Sequence, residues 1–202
     1  MIIGSFVRKN WFVTNTRIGN IGYAISVGVT AVMGLLLFAQ GRVLWCKLRD
    51  YPLYINEAWK SSHTSQHLFD PYTFTHILHG VAFFWIASAL FPKLSNGWRF
   101  LIATTAEASW EVLENSNYII EKYRENTASL DYFGDSIANS VGDVLACAAG
   151  FVIASKLGRF GSLAFFIAVE LILMLWIRDG LILNILMLIY PLDGVKKWQM
   201  SM

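Results

Sequence analysis

Charged residues are scarce in this sequence. They make up 15% of the 202 residues, whereas 55% are hydrophobic; a typical soluble domain carries about 25% charged residues. The mean hydropathy of +0.48 and the grouping of apolar residues into long blocks are typical of a membrane protein. The net charge is only +2, and no extended run of lysine and arginine is present. The sequence therefore argues against a nucleic-acid partner.

Cysteine is also scarce, because Cys46 and Cys147 are the only two. Two isolated cysteines form neither a disulfide framework nor a zinc motif, and we predict both to be small buried hydrophobic residues. The G-x-S-x-G, phosphate-binding-loop and H-E-x-x-H patterns are absent. The sequence therefore does not indicate a serine hydrolase, a P-loop NTPase or a zincin.

Five apolar blocks are long enough to cross a bilayer, which takes about 20 residues. These blocks lie near residues 18–40, 73–91, 98–120, 134–155 and 160–177. A sixth block, 181–190, is too short to span alone and is predicted to be an interfacial or re-entrant segment, or a kinked sixth span. The predicted fold is all-α: a polytopic transmembrane helical bundle forming a single integral membrane domain over residues 1–202.

The loops are predicted to differ in charge between the two membrane faces. Face B is the side of the N-terminal segment with Arg8, Lys9 and Arg17, and of the short loops at residues 92–99 and 156–159. Face A is the side of the longer loops, where basic and acidic residues are mixed. The positive-inside rule counts lysine and arginine in short loops. It favours an orientation with face B in the cytoplasm and face A on the outward side.

All four histidines fall in one window of the sequence. His63 and His67 lie in the loop before the second apolar block, and His76 and His79 lie in the first turns of that block. Each pair has a spacing that places both imidazoles on one side of a helix, as metal ligands require. The window predicts a site for a divalent, zinc-like metal ion, or alternatively a hydrogen-bonded interfacial cluster without metal.

Acidic residues recur at helical spacing in the later blocks. The third block carries Glu107, Glu111 and Glu114, which fall within an arc of about 60° on a helix. The fourth carries Asp135, Asn139 and Asp143, within about 80°. An ionised side chain at the bilayer centre costs about 2.5–3.5 kcal/mol or more, so such residues are candidates for function. They are predicted to be protonated, to face a wet cavity, or to pair with the histidines, Arg124, Arg178 or a bound cation.

Chain direction places these polar residues at the same membrane face. The second block begins at face A, the third ends there and the fourth begins there, so the histidines, Glu111, Glu114, Asn115 and Asp135 converge. The loop between the third and fourth blocks adds Arg124 and Asp131 on the same side. The sequence therefore predicts one polar site at face A, with Glu107 supporting it from deeper in the membrane.

Three strings resemble a known family: Ser65-Gln66-His67-Leu68-Phe69-Asp70-Pro71-Tyr72, Trp110-Glu111-Val112-Leu113-Glu114-Asn115-Ser116 and Tyr132-Phe133-Gly134-Asp135-Ser136-Ile137-Ala138-Asn139-Ser140. The resemblance is to a family of bacterial, largely alphaproteobacterial, inner-membrane proteins with a domain of unknown function. It implies no activity. A weaker resemblance links the succession of His, Glu, and Asp followed by Asn to the VanZ-like membrane proteins. That resemblance implies a shared fold and no substrate.

Three functional hypotheses follow from the predicted site. The first is an intramembrane hydrolase or group-transfer enzyme acting on a lipid-linked or amphipathic substrate. The second is a carrier that binds a metal ion or protons, and the third is an accessory subunit that docks a membrane partner. The predicted roles in an enzyme are catalysis by Glu111, Glu114, Asp135 and Asn139, substrate binding by Arg124, Asn115, Asp131 and Asp143, and metal binding by His76, His79, His63 and His67.

Overall fold

The computed structural model describes residues 3–58 and 61–201, with side chains from residue 20 onward. The side chains of the basic N-terminal flank, Arg8, Lys9 and Arg17, lie outside the described residues. Seven helices and no strand are present in the described part of the chain, which confirms the all-α prediction. The helices are α1 (Ile3–Ala39), α2 (Thr73–Leu90), α3 (Asn96–Glu114), α4 (Asn117–Asn126), α5 (Ile137–Trp176), α6 (Leu181–Ile189) and α7 (Asp193–Met200).

Three helical segments are long and apolar enough to cross a membrane: Asn20–Ala39, Thr73–Leu90 and Ile137–Trp176. They support the prediction of a membrane protein. Helix α3 has a similar length, but three glutamates and Arg99 reduce its apolar character. Five spans were predicted, but in the described residues only these three segments have the length and composition of a membrane span.

The third predicted block, 98–120, is divided into two helices in the structure. Helix α3 ends at Glu114, and α4 begins at Asn117 after Ser116 adopts an extended backbone. The Ser116 hydroxyl accepts a hydrogen bond from the Ile119 amide, which satisfies one of the free amides at the start of α4. The expected end of this block at residue 120 was therefore wrong, because a capping serine starts a new helix.

Helix α5 contains a break that turns its second half back. A straight helix of 40 residues would be about 60 Å long, twice the thickness of a bilayer's hydrocarbon core. Gly158 has φ 65° and ψ −175°, a conformation that glycine adopts without steric cost. Across this turn the Ser162 hydroxyl donates to the Ala154 carbonyl. Trp176 then lies beside Phe74 at the start of α2, with ring centroids 6.1 Å apart.

Helices α2 and α5 approach so closely that their backbones touch. A Cβ atom on Gly80 would overlap the carbonyl oxygen of Cys147, and one on Gly150 would overlap that of Ile77. Small residues that permit such contacts are typical of helix pairs in membranes. The first half of α5 runs parallel to α2, because His76 Nε2 lies 3.8 Å from Asp143 Oδ2 and, further along both helices, the Phe84 ring packs on the Phe151 ring. This packing brings the first turns of both helices, with their polar residues, to the same end.

The chain between α1 and α2 is docked on the start of α5. The Ser136 amide donates to the Ser65 carbonyl over 2.9 Å, and the Asn139 side-chain amide donates to the His67 carbonyl over 2.8 Å.

Toward the C-terminus, α6 is the short helix expected from the sixth block. Its amides at Leu181 and Ile182 donate to the Glu170 carboxylate, so this intramembrane acid caps a helix. Helix α7 was not predicted.

Candidate functional site

A buried histidine on α2 is the centre of a group of carboxylates. Nδ1 of His76 lies 2.5 Å from Glu107 Oε1, and Nδ1 of His79 lies 2.9 Å from Glu107 Oε2. Because an ionised carboxylate only accepts hydrogen bonds, both imidazoles donate to Glu107. Glu107 is fully buried and thereby fixes the orientation of both rings. The sequence predicted Glu107 as a supporting residue, and the structure places it at the contact between the two histidines.

Two further carboxylates lie near His76 without hydrogen bonds of their own. Glu111 Oε1 is 3.5 Å from His76 Nδ1, and Asp143 Oδ2 is 3.8 Å from His76 Nε2. Both oxygens of Glu111, and Oδ1 of Asp143, are buried and have no hydrogen-bond partner in the described part of the chain. A buried polar atom without a partner costs about 1–3 kcal/mol. Such groups are therefore candidates for binding a ligand or an ion.

A cavity of about 210 Å³ opens beside His76. Its polar lining includes five of the predicted site residues: His76, His79, Glu114, Asp135 and Asp143. Its apolar lining comes mainly from α6, through the side chains of Leu181, Ile185, Leu188 and Ile189, and α6 also contributes Asn184. The other predicted site residues do not line it: Glu111, Asn115, Arg124, Asp131, Asn139, His63 and His67.

Asp135 is held in place by its neighbours. Its Oδ2 accepts a hydrogen bond from Asn115 Nδ2 over 2.8 Å, and its Oδ1 accepts one from the Tyr132 hydroxyl over 3.0 Å. The Asn115 side-chain oxygen accepts from the Asp135 amide over 2.7 Å. Asn115 therefore joins the end of α3 to the residues before α5. Asn115 was predicted to bind substrate and Asn139 to take part in catalysis, but both side chains form hydrogen bonds within the protein.

The permanent cations of this face do not enter the group of carboxylates. The Arg124 guanidinium lies over the Phe133 ring, 5.1 Å from its centroid. Arg178 donates to the Trp198 carbonyl and the Ser201 hydroxyl, and Asp131 is exposed. Each ion pair between side chains in the described residues joins a histidine to a carboxylate. Histidine therefore supplies the basic groups that the acidic helices lack.

The other two histidines form a separate group in the loop between α1 and α2. Nδ1 of His63 lies 3.3 Å from Nε2 of His67 and 3.2 Å from Asp50 Oδ2. The Cys46 sulfur lies 3.7 Å from the same His63 nitrogen. Cys46 and Asp50 were not predicted as site residues. The signal that could have found them is the four-residue step from Cys46 to Asp50, which matches the step from His63 to His67.

Asp70 joins this loop to the start of α2. Its carboxylate accepts hydrogen bonds from the amides of Ser65, Tyr72 and Thr73, and burial raises its pKa to about 6. The hydrogen bonds from the Tyr72 and Thr73 amides oppose this rise. Asp70 therefore connects the loop histidines to the helix that carries His76 and His79.

Two comparisons with known proteins matched most of the chain. Residues 37–201 match the model of a family described as "Protein of unknown function (DUF2585)". A UPF0314 protein of Brucella anthropi is 41% identical over 179 residues, covering 89% of this chain and 90% of the relative. A UPF0314 protein of Paracoccus denitrificans is 45% identical over 174 residues, covering 86% and 90%. A comparison with solved structures gave no match. The resemblance to VanZ-like proteins stays a prediction.

Proposed function

We propose a function for this chain, which belongs to the DUF2585 family of proteins of unknown function. The protein is a membrane-embedded enzyme that hydrolyses, or transfers a group from, a lipid-linked or amphipathic substrate. The observation that carries this proposal is His76, which lies on the cavity wall within 3.8 Å of carboxylates from two other helices. An imidazole oriented by one carboxylate and open to a cavity is suited to proton transfer.

The mixed lining of the cavity supports an amphipathic substrate. Carboxylates and imidazoles line it together with aliphatic side chains of α6. A polar head group with an ester or phosphoester bond would be bound at His76 and Glu114, and an acyl or prenyl chain would contact Leu188 and Ile189. Binding sites for small molecules commonly combine such an apolar lining with a few convergent polar groups.

In the proposed reaction Glu114, which lines the cavity, accepts a proton from water as the water oxygen bonds to the carbonyl carbon or phosphorus of the substrate. His76, in its imidazolium form, is held at Nδ1–H by Glu107 and donates its Nε2 proton to the leaving oxygen as the bond to that oxygen breaks. Proton transfer from Glu114 to His76 after product release restores both groups.

In an alternative form of the reaction a divalent metal ion would be held by His76, Glu111 and Glu114, which each offer one ligand atom, all within 4.8 Å of one another. His76 and Glu114 would then be ligands and not the acid and the base. Such an ion would lower the pKa of bound water and polarise the scissile group.

A second candidate function is transport or storage of a metal ion or protons. The buried series of Glu107, His76 and Asp143 favours it, because such chains of acids and histidines carry protons in membrane pumps. Uptake of protons or metal by sealed vesicles containing the protein, without any change in their lipids, would support this function over the enzyme.

We propose further that five crossings are made, with α3 and the two halves of α5 each counted once. The cavity then lies at face A, which the loop charges favour as the periplasmic side of the inner membrane. The turn at Gly158 supports this count, since it divides α5 into two segments that are each close to a span in length.

The proposed enzyme can be tested in a strain that lacks the protein. Lipid extracts would be compared by mass spectrometry after complementation with the wild type, His76→Gln, Glu114→Gln or the exposed control Glu121→Gln. The substrate should accumulate with the first two variants and return to the wild-type level with Glu121→Gln. Identical lipid profiles with and without the protein would contradict the proposal.

A further inference from the structure

The loop between α1 and α2 brings together four side chains of the types that bind transition metals. They are the Cys46 thiol, the Asp50 carboxylate and the imidazoles of His63 and His67, with one ligand atom from each within 4.8 Å of the others. Cys46 is 5% exposed and His67 is fully buried. Asp50 Oδ1 is buried without a hydrogen-bond partner. This group is separate from the cluster around His76, with which it shares no side chain.

We propose that this loop binds a structural zinc ion through Cys46, Asp50, His63 and His67. In a tetrahedral zinc site the metal–ligand distances of about 2.0–2.3 Å place neighbouring ligand atoms about 3.3–3.6 Å apart. The observed separations are 3.2 Å from His63 to Asp50, 3.3 Å between the histidines, 3.5 Å from His67 to Asp50 and 3.7 Å from Cys46 to His63. These four distances are close to the edge length of such a tetrahedron, with the two Asp50 distances measured to Oδ2 and Oδ1, and all four ligand groups lie within 4.8 Å of one another.

The orientation of His67 supports metal binding by its Nε2 atom. Nδ1 of His67 lies 2.9 Å from the Pro52 carbonyl oxygen, which can only accept, so this nitrogen carries the proton. In the neutral ring Nε2 then has a lone pair, and it faces Asp50 and His63. A backbone carbonyl that fixes the tautomer is the usual partner of a metal-binding histidine. Without a bound cation, the lone pair of His67 Nε2 would face the Asp50 carboxylate, and both groups can only accept hydrogen bonds.

The charges and the spacing of the ligands agree with zinc. A thiolate and a carboxylate bring two negative charges, and neutral imidazoles bring none, so one divalent ion neutralises the group. Thiolate and imidazole ligands favour zinc over magnesium or calcium. The order is Cys-x3-Asp-x12-His-x3-His, close to the spacing of known zinc sites but with aspartate as the second ligand.

The backbone of both ligand pairs is held in a conformation that needs support. Arg49, between Cys46 and Asp50, has φ 61°, and Ser65, between His63 and His67, has φ 55°. Residues other than glycine are strained in this region and persist where surrounding contacts fix them. Zinc would fix both turns. It would also fix the wall of the cavity, because Thr64 and Ser65 line it.

The proposal can be tested by replacing zinc with cobalt in the purified full-length protein. A cobalt–thiolate bond gives a charge-transfer band in the near ultraviolet, which histidine and carboxylate ligands do not give. The wild type should show this band, and Cys46→Ala should lose it. The matched control Cys147→Ala, which alters the other buried cysteine, should keep it. A wild-type protein saturated with Co²⁺ but lacking the band would overturn the proposal without any variant.

Zinc analysis separates this site from the proposed active site. His67→Ala and Asp50→Asn should each lose one equivalent of tightly bound zinc per chain. His76→Ala should keep that equivalent and the cobalt–thiolate band, even if the protein is not an enzyme. Zinc content that is unchanged in His67→Ala, or a band that survives Cys46→Ala, would show that the loop is held only by hydrogen bonds between histidine and Asp50.

Discussion

Glu107 contacts both histidines of α2, which its position in the sequence did not predict. Its depth in α3 suggested a supporting carboxyl, but it accepts hydrogen bonds from both His76 and His79. The sequence identifies the residue types and their helical faces. It cannot show which acid contacts which imidazole, because that depends on how α2 and α3 are rotated against each other.

Glu107→Gln should destabilise the protein and impair the site. Glutamine keeps the size of the side chain, but its amide group would present N–H donors to an imidazole that also donates. We expect the free energy of unfolding to fall by about 1–3 kcal/mol, measured by denaturant unfolding in detergent. The exposed Glu121→Gln is the control. A Glu107→Gln protein as stable as that control would show that the two histidine contacts contribute nothing.

Asp179, just after α5, should make stability depend on pH. Burial raises its pKa to about 6, so the folded state favours the protonated form more than the unfolded state does. Stability should therefore be higher near pH 4 and decrease as the pH rises toward 6. Above about pH 6 the free energy of unfolding should be lower by roughly 3 kcal/mol, since one pKa unit corresponds to about 1.4 kcal/mol. Thermal unfolding of Asp179→Asn should show this pH dependence reduced, and an unchanged slope would contradict it.

At the scale of helices, the sequence predicted the spans better than the connections. The apolar blocks mark α1, α2 and both halves of α5, because burial in lipid requires long apolar segments whatever the packing. The break at Ser116 and the fold of the loop that holds Cys46 were missed. A cap and a loop are determined by single side chains and by contacts distant in sequence, which hydropathy does not reveal.

The contact between α2 and α5 should tolerate no side chain at Gly150. Gly150→Ala would place a Cβ against the Ile77 carbonyl and separate the helices that carry His76 and Asp143. We expect a clear loss of stability and of function. Gly28→Ala is the matched control, because a Cβ there meets nothing within 4 Å. Alanine should stabilise that helix by up to about 1 kcal/mol. Equal melting temperatures for the two variants would contradict the close packing.

At the scale of the whole molecule, the convergence of the polar residues follows from chain direction. His76 begins α2, Glu114 ends α3 and Asp135 precedes α5, so the order of elements alone predicts that they meet. The sequence could not predict that α6 would form the apolar lining of their cavity. A nine-residue helix with eight apolar residues can lie on lipid or on protein, and only the packing against α4 decides between them.

The proposed topology can be measured by labelling introduced cysteines in intact cells. Asp131→Cys, at face A, should react with a membrane-impermeant thiol reagent added from outside. Lys93→Cys, at face B, should react only after the cells are opened. The native cysteines are both buried and serve as the unlabelled background. Labelling of both positions from the same side would contradict five crossings, and the reverse pattern would invert the orientation.

Turnover by the purified protein tests the central claim most directly. The protein would be reconstituted into vesicles made from the lipids of its own bacterium, and mass spectrometry would follow those lipids over time. We predict that a lipid-linked species disappears with the wild type, and that His76→Gln reduces the rate by at least about 100-fold, the contribution of a general acid–base group. Equal rates for the wild type and His76→Gln, or no change in any lipid, would contradict the account.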